Sequence, residues 1–101
     1  MTKNEKKEIE EVIQWYAIIL LLLSFMAAKK NGYIGTMSEW EHTTGLTYTI
    51  LREKIMEIVK KTVIEGENMK EVIIQKILES EILESIITKI SQKEKWYDED
   101  Q

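Results

Sequence analysis

Seventeen consecutive residues near the N-terminus, Val12–Ala28, carry no charged side chain. Only Gln14 and Ser24 in this run are clearly polar, so the helix that it predicts is apolar around its whole circumference. Such a helix must be covered on more than one side. A chain of 101 residues has too little mass to do this alone. We therefore expect a homodimer in which a second subunit supplies part of the cover.

The same run has an alternative interpretation, since its length reaches the lower limit for a membrane-spanning helix. Trp15-Tyr16 stand at one end and Lys29-Lys30 at the other, as at membrane interfaces. A signal peptide fits poorly, because four glutamates precede the run and no clear cleavage site closes it. We favour a buried helix over a membrane span and expect a cytoplasmic protein.

A second apolar pattern lies in the C-terminal third and predicts an amphipathic helix over about residues 76–95. Its apolar residues, several of them in adjacent pairs, recur from one turn to the next at spacings of three, four and five: Ile77, Leu78, Ile82, Leu83, Ile86, Ile87 and Ile90. We expect this helix to pack on Val12–Ala28 of its own subunit and of its twin. The homodimer would then form through Val12–Ala28 and Ile77–Ile90.

Thr36–Ile64 has the pattern of a helix, a glycine turn and a second helix. Thr36 and Glu39 form a T-x-x-E capping box, which predicts a helix start. Gly45 is suited to the positive φ that ends a helix, and Thr47 offers the next N-cap. The segment over 36–61 is therefore predicted to be a helix-turn-helix.

The second helix of this motif has one clear apolar face. Leu51, Ile55, Ile58 and Val59 recur at helical spacing. A row of Tyr48, Arg52 and Met56 falls on another face, at positions i, i+4 and i+8 (that is, on neighbouring turns).

This segment resembles the helix-turn-helix core of winged-helix transcription regulators, the group that includes the MarR-like and PadR-like proteins, and in particular their small archaeal or archaeal-virus members. The residues in register are Glu39, Trp40, Thr44, Gly45, Leu46, Thr47, Leu51, Ile55, Ile58 and Val63-Ile64. The resemblance covers about residues 15–64. It implies a mainly α fold of winged-helix type, in one domain over 1–101, and binding to double-stranded DNA.

The stretch Thr62–Lys76 has two interpretations. One is the β-hairpin wing of that family, with strands TVIE and EVII around a turn at Gly66. The other is a loop that leads into a helix, because Asn68 and Glu71 form an N-x-x-E capping pattern. The β-branched run and the resemblance favour the short hairpin. Glu65 and Glu67 would make its tip acidic, so phosphate would repel it.

The net charge of −4 is distributed unevenly. Residues 44–62 carry four basic and two acidic side chains (+2), whereas residues 63–101 carry five lysines and ten acids (−5). The excess of positive charge therefore lies on the predicted second helix. The candidate DNA contacts are Thr47, Tyr48, Thr49, Arg52 and Lys54.

Arg52 is the single arginine of the chain, and no carboxylate stands three or four residues from it. A free guanidinium is the commonest reader of guanine and also binds phosphate. The alternative is a solvated surface arginine or one paired with an acid of another helix. For Tyr48, half-buried packing is an equally good interpretation.

Enzymatic chemistry finds little support. The sequence has no cysteine, and His42 is its one histidine, so no metal-ligand set is expected. No nucleophile elbow or glycine-rich phosphate loop occurs. We expect neither a cofactor nor a small-molecule substrate. Two functions remain: a dimeric DNA-binding regulator that reads the major groove with helix 47–61, or a helical protein–protein interaction module, in one form membrane-tethered through 12–28.

Overall fold

The computed structural model describes residues 3–61 and 69–97 and is mainly α-helical, as the sequence predicts. The helices of the described residues are α1 (Lys3–Lys30), α2 (Met37–Thr44), α3 (Tyr48–Lys61), α4 (Met69–Glu79) and α5 (Glu81–Ser91), with a 3-10 turn after them at Lys93–Lys95.

The long helix α1 is the axis on which the other elements assemble. Its 28 residues give it a length of about 42 Å. It packs against α3, α4 and α5. Its buried residues are apolar apart from Ser24, and they are Ile9, Val12, Ile13, Ala17, Leu20, Leu21, Ser24 and Ala28.

The main core fills the space between α1 and the helices that cover it. From α3 it receives Leu51 and Ile55, both fully buried. From α4 come Ile73 and Ile77, which are also fully buried, and α5 adds Ile82 and Ile86. These branched residues recur every four positions, so each helix directs one stripe inward.

A second core lies at the C-terminal end of α1 and is aromatic. Tyr33, Trp40 and Trp96 surround Ala28, and all four are buried. The rings meet edge to face, with centroids 4.8 Å apart for Tyr33 and Trp40 and 5.6 Å apart for Trp40 and Trp96. Trp96, which follows α5, thereby packs against the segment between α1 and α2.

The predicted hairpin wing is replaced by a helix in the described residues beyond α3. No strand occurs in residues 3–61 and 69–97, and Glu71–Ile74, predicted as the second wing strand, lies inside α4. That prediction was wrong because Ile73 and Ile77 both reach the main core while Gln75 between them is exposed, whereas a strand would place all three side chains on one face. The predicted first strand and the turn at Gly66 lie outside the described residues.

The C-terminal helix predicted over 76–95 is interrupted. Ser80 takes an extended conformation (φ −82°, ψ 170°), its hydroxyl accepts the N–H of Ile82, and it thereby caps α5. The same hydroxyl donates to the carbonyl oxygen of Ile77 at the end of α4. One short polar side chain satisfies both helix ends, so the apolar pattern is divided between two helices.

The helix over Val12–Ala28 is covered on one side only. It was expected to be buried all round, but Trp15, Ile19, Leu22, Leu23 and Met26 are 40–63% exposed in the single chain. Lys6–Lys30 is also long and apolar enough to cross a bilayer, with a mean hydropathy of 1.8, although 33% of its most apolar window is buried inside the fold.

Candidate nucleic-acid interface

The candidate interface begins with the residues that fix the start of α2. The Thr36 hydroxyl accepts the N–H of Glu39 at 3.1 Å, and the Thr36 N–H donates to Glu39 Oε1 at 3.1 Å. The Thr36 hydroxyl also lies 3.0 Å from the same carboxylate oxygen. The predicted capping box is therefore present. The bond from the backbone N–H of Thr36, and then the bond from its hydroxyl, lower the pKa of Glu39 below its ordinary value.

The turn between α2 and α3 comprises Gly45, Leu46 and Thr47. Gly45 adopts the predicted left-handed conformation, with φ 72°, and its N–H donates to the carbonyl oxygen of Glu41 at 2.8 Å. The Thr44 hydroxyl donates to the Trp40 carbonyl oxygen and accepts the N–H of Leu46. These local bonds satisfy the Gly45 and Leu46 N–H groups and so stabilise this conformation of the turn.

The start of α3 is fixed in the same way. The Thr47 hydroxyl accepts the N–H of Ile50 at 3.2 Å, as expected of an N-cap. Leu46 before the cap and Leu51 in the first turn are both buried in the main core. This pair is a hydrophobic staple, which sets the direction in which α3 leaves the turn.

The inward face of α3 is the apolar face that the sequence predicts. Leu51 and Ile55 are fully buried, and Ile58 and Val59 pack against them half-buried. Tyr48 also packs against the main core, in the half-buried position that the sequence left open for it.

The outward face of α3 is of mixed charge. Thr49, Glu53, Glu57 and Lys60 succeed one another along the line opposite Leu51 and Ile55, and all four are exposed. Glu53 and Glu57 are therefore central to the surface that would meet a groove. Sequence reasoning missed their position, although their spacing of four residues on the helix already places them on one line.

The predicted contact residues are not all on one side of this line. Tyr48, Thr49 and Arg52 fall within an arc of about 100° around the first half of α3. Lys54 lies about 160° from Arg52 around the helix axis, on the opposite flank. Arg52, Thr49 and Lys54 are exposed, and the Thr47 hydroxyl is engaged in its cap. The structure thus groups three of the five predicted residues.

A pocket of about 380 Å³ lies beside the end of α2. It is lined by Thr43, Thr44, Lys89, Gln92, Lys95 and Trp96. Within residues 3–61 and 69–97 no group of three or more His, Cys, Asp or Glu side chains could hold a metal ion.

No protein-family model, curated protein sequence or solved structure matches this chain. The relation to winged-helix regulators therefore stays a prediction that rests on the residues of the turn and its two helices.

Proposed function

We propose that the chain is a dimeric, sequence-specific DNA-binding transcription regulator that reads the major groove with α3. The observation that supports this most is the turn at Gly45–Thr47, which holds α3 by two caps and a buried leucine pair while Thr49 and Arg52 stay exposed. Helix-turn-helix proteins present the N-terminal half of their second helix to base edges in this manner.

Arg52 is the central contact in this proposal. It lies in the second turn of α3 and is exposed, so its fork can reach guanine O6 and N7. Thr49, one turn earlier on the same side, can bond a base edge or a phosphate. Tyr48 packs half-buried against the main core, and its hydroxyl is a candidate donor to the phosphate backbone.

The two glutamates on the outward line would favour sequence-specific over non-specific binding of this helix to DNA. Glu53 can accept a hydrogen bond from cytosine N4, whereas phosphates repel both Glu53 and Glu57. The helix as a whole carries four basic and two acidic residues, a balance of +2. So small a positive charge neutralises few phosphates, and two copies would double the effect on a palindromic site.

The proposal is tested by titrating labelled duplexes, first of random sequence and then enriched by repeated selection, at about 50 mM salt. Arg52→Ala should weaken binding to the selected site by about 1–3 kcal/mol, since it removes a bidentate base contact. Lys54→Ala should weaken binding less and uniformly across sequences, as a phosphate contact would.

The matched control is Lys76→Ala, which removes one exposed positive charge from α4. It should leave affinity close to that of the wild type. Equal losses in Arg52→Ala and Lys76→Ala would show a general charge effect, and α3 would then not be the reading helix.

The second candidate is a helical protein–protein interaction module, in one form membrane-tethered through 12–28. The exposed apolar residues of α1 favour it, because soluble chains rarely leave such a row uncovered. Failure to bind any duplex at low salt, together with a monomeric mass, would favour this candidate over the first. Solubility without detergent would argue against its membrane-tethered form.

A further inference from the structure

The outward side of α1 carries an apolar row whose side chains the rest of the described chain leaves 40–63% exposed. Trp15, Ile19, Leu22, Leu23 and Met26 form this row, which we call the α1 stripe. Their spacing places them within an arc of about 100°, opposite the face that packs on α3. Trp15 and Met26 are the most exposed of the five, at 61% and 63%.

Charged residues of opposite sign stand at the two ends of this face. Glu8 and Glu11 lie on the same side of α1 as the stripe at its N-terminal end, and Lys29 and Lys30 lie on that side at its C-terminal end. All four are exposed. Between these ends, the helix has no charged residue.

We infer that the α1 stripe is covered by the α1 stripe of a second copy of this chain, with the two helices antiparallel. The stripe is centred between Leu20 and Leu21, so antiparallel pairing about this point places Trp15 opposite Met26 of the partner subunit. Ile19 then lies opposite Leu22 of the partner subunit. Each glutamate end meets the lysine end of the other copy, whereas parallel pairing would set like charges side by side.

A bilayer fits the same surface less well. If α1 crossed a membrane with its fold intact, α3 would bring Glu53, Glu57 and Lys60 into the hydrocarbon, at a high cost. If α1 lay in the interface, repulsion of Glu8 and Glu11 by anionic headgroups would offset the attraction of Lys29 and Lys30. A second copy avoids both conflicts and offers an apolar surface of matching length.

The inference is independent of DNA binding, and its first test is the mass of the full chain by light scattering and sedimentation. The wild type should be a dimer, and Leu23→Glu should shift it to the monomer with an unchanged helical circular dichroism spectrum. Leu78→Glu is the matched control, because Leu78 is 56% exposed and Leu23 is 55% exposed. Leu78 lies on α4, so its substitution should leave the dimer intact.

Orientation is tested by cross-linking, for which the absence of cysteine in the chain is an advantage. A mixture of Trp15→Cys and Met26→Cys chains should form a disulfide-linked dimer under mild oxidation. Trp15→Cys chains alone should not form this disulfide. In the antiparallel pair, the two copies of residue 15 would be about 16 Å apart along the helix axes, beyond the reach of a disulfide.

Four outcomes would overturn the inference. They are a monomeric wild type, a dimer that survives Leu23→Glu, a dimer lost in Leu78→Glu instead, and efficient cross-linking of Trp15→Cys with itself. Flotation of the wild type with phosphatidylcholine vesicles, abolished by Leu23→Glu, would identify a lipid surface as the occupant in its place. DNA affinity does not enter these measurements, so DNA reading by α3 and this inference can fail separately. A monomeric wild type would also remove the dimer that the regulator proposal assumes, and DNA binding would then be judged by the titration alone.

Discussion

The hydroxyl of Ser24 on α1 forms a hydrogen bond with the aromatic core. The indole N–H of the fully buried Trp40 donates to Ser24 Oγ at 3.1 Å, and Ser24 donates in turn to the Leu21 carbonyl oxygen at 2.9 Å. Ser24 is itself buried. Ser24, one of the two polar residues in the apolar run Val12–Ala28, thus accepts a hydrogen bond from a buried donor on another helix.

Ser24→Ala should therefore destabilise the fold by about 1–3 kcal/mol, because it leaves the Trp40 N–H buried without an acceptor. The free energy of unfolding in urea measures this. Ser91→Ala is the control, since Ser91 is exposed and its hydroxyl donates to a carbonyl oxygen of its own helix. Adding Trp40→Phe to Ser24→Ala should cost less than the two single changes summed. Equal effects of Ser24→Ala and Ser91→Ala would contradict the account.

Glu39 makes stability depend on acid. Its pKa in the folded chain lies below the ordinary value of 4.5, because the Thr36 N–H and hydroxyl bond its ionised form. The folded state therefore binds a proton less readily than the unfolded state. This contribution is complete above the unfolded pKa and is lost as pH falls through the lowered folded pKa.

We expect Glu39→Gln to flatten the fall in stability on acidification from neutral pH to below 4.5, while the helix keeps a capping side chain. Urea unfolding of the wild type and of Glu39→Gln at several pH values gives the free energy of unfolding as a function of pH for each protein. Parallel curves would show that the carboxylate of Glu39 is not one of the groups responsible.

At the scale of the element, Gly45 determines where α2 stops. It stands at φ 72°, and a Cβ built on it would meet nothing within 4 Å. The requirement for glycine is therefore conformational and not one of space. For residues with a side chain, adopting this backbone region costs about 1–2 kcal/mol.

Gly45→Ala should accordingly lower the free energy of unfolding by about 1–2 kcal/mol, and Gly45→Asn by less, since asparagine tolerates the left-handed region. Thermal unfolding of the wild type, Gly45→Ala and Gly45→Asn gives the order of their stabilities. If alanine were as stable as glycine, or asparagine less stable than alanine, the turn would not be held by φ at this residue.

The elements that the sequence predicts well are those whose signals are local. Thr36 with Glu39, Gly45 and Thr47 each make the bond that their residue type predicts, within four residues of themselves. The inward face of α3 is predicted by apolar spacing alone. The outward face could have been derived from the same spacing, which puts Glu53 at its centre and separates Arg52 from Lys54.

Non-local packing explains the failures. The β-branched run Val72–Ile74 favours a strand by its own preference, but burial of Ile73 beside Ile77 fixes it in α4. The aromatic core joins Trp96 to Tyr33 across most of the chain, with centroids 5.4 Å apart, and no pattern in either segment predicts that meeting. The Ile34 N–H donates to the Tyr97 hydroxyl at 2.7 Å in the same junction.

At the scale of the whole molecule, the described fold is elongated, with extents of 47 × 23 × 21 Å. The helix α1 defines the long dimension, and both cores are arranged along it. The main core lies on its first two-thirds and the aromatic core at its C-terminal end. The sequence predicts that an apolar helix of this length is enclosed, but the remaining described helices cover only one of its faces, and the α1 stripe stays 40–63% exposed.

Two of the three tryptophans lie in the aromatic core and the third lies on the α1 stripe, so their intrinsic fluorescence reports on both regions. Trp40 and Trp96 are 0% and 5% exposed in the aromatic core, whereas Trp15 is 61% exposed on the α1 stripe. In the single chain, soluble quenchers such as acrylamide therefore reach the emission of Trp15 and not that of the other two tryptophans, whereas the inferred dimer would shield Trp15 as well. A red shift of the emission on denaturation reports the exposure of Trp40 and Trp96. A change in acrylamide quenching on dilution reports a change in the exposure of Trp15. Folding, and the self-association that we infer, can thus be monitored in one sample without a label.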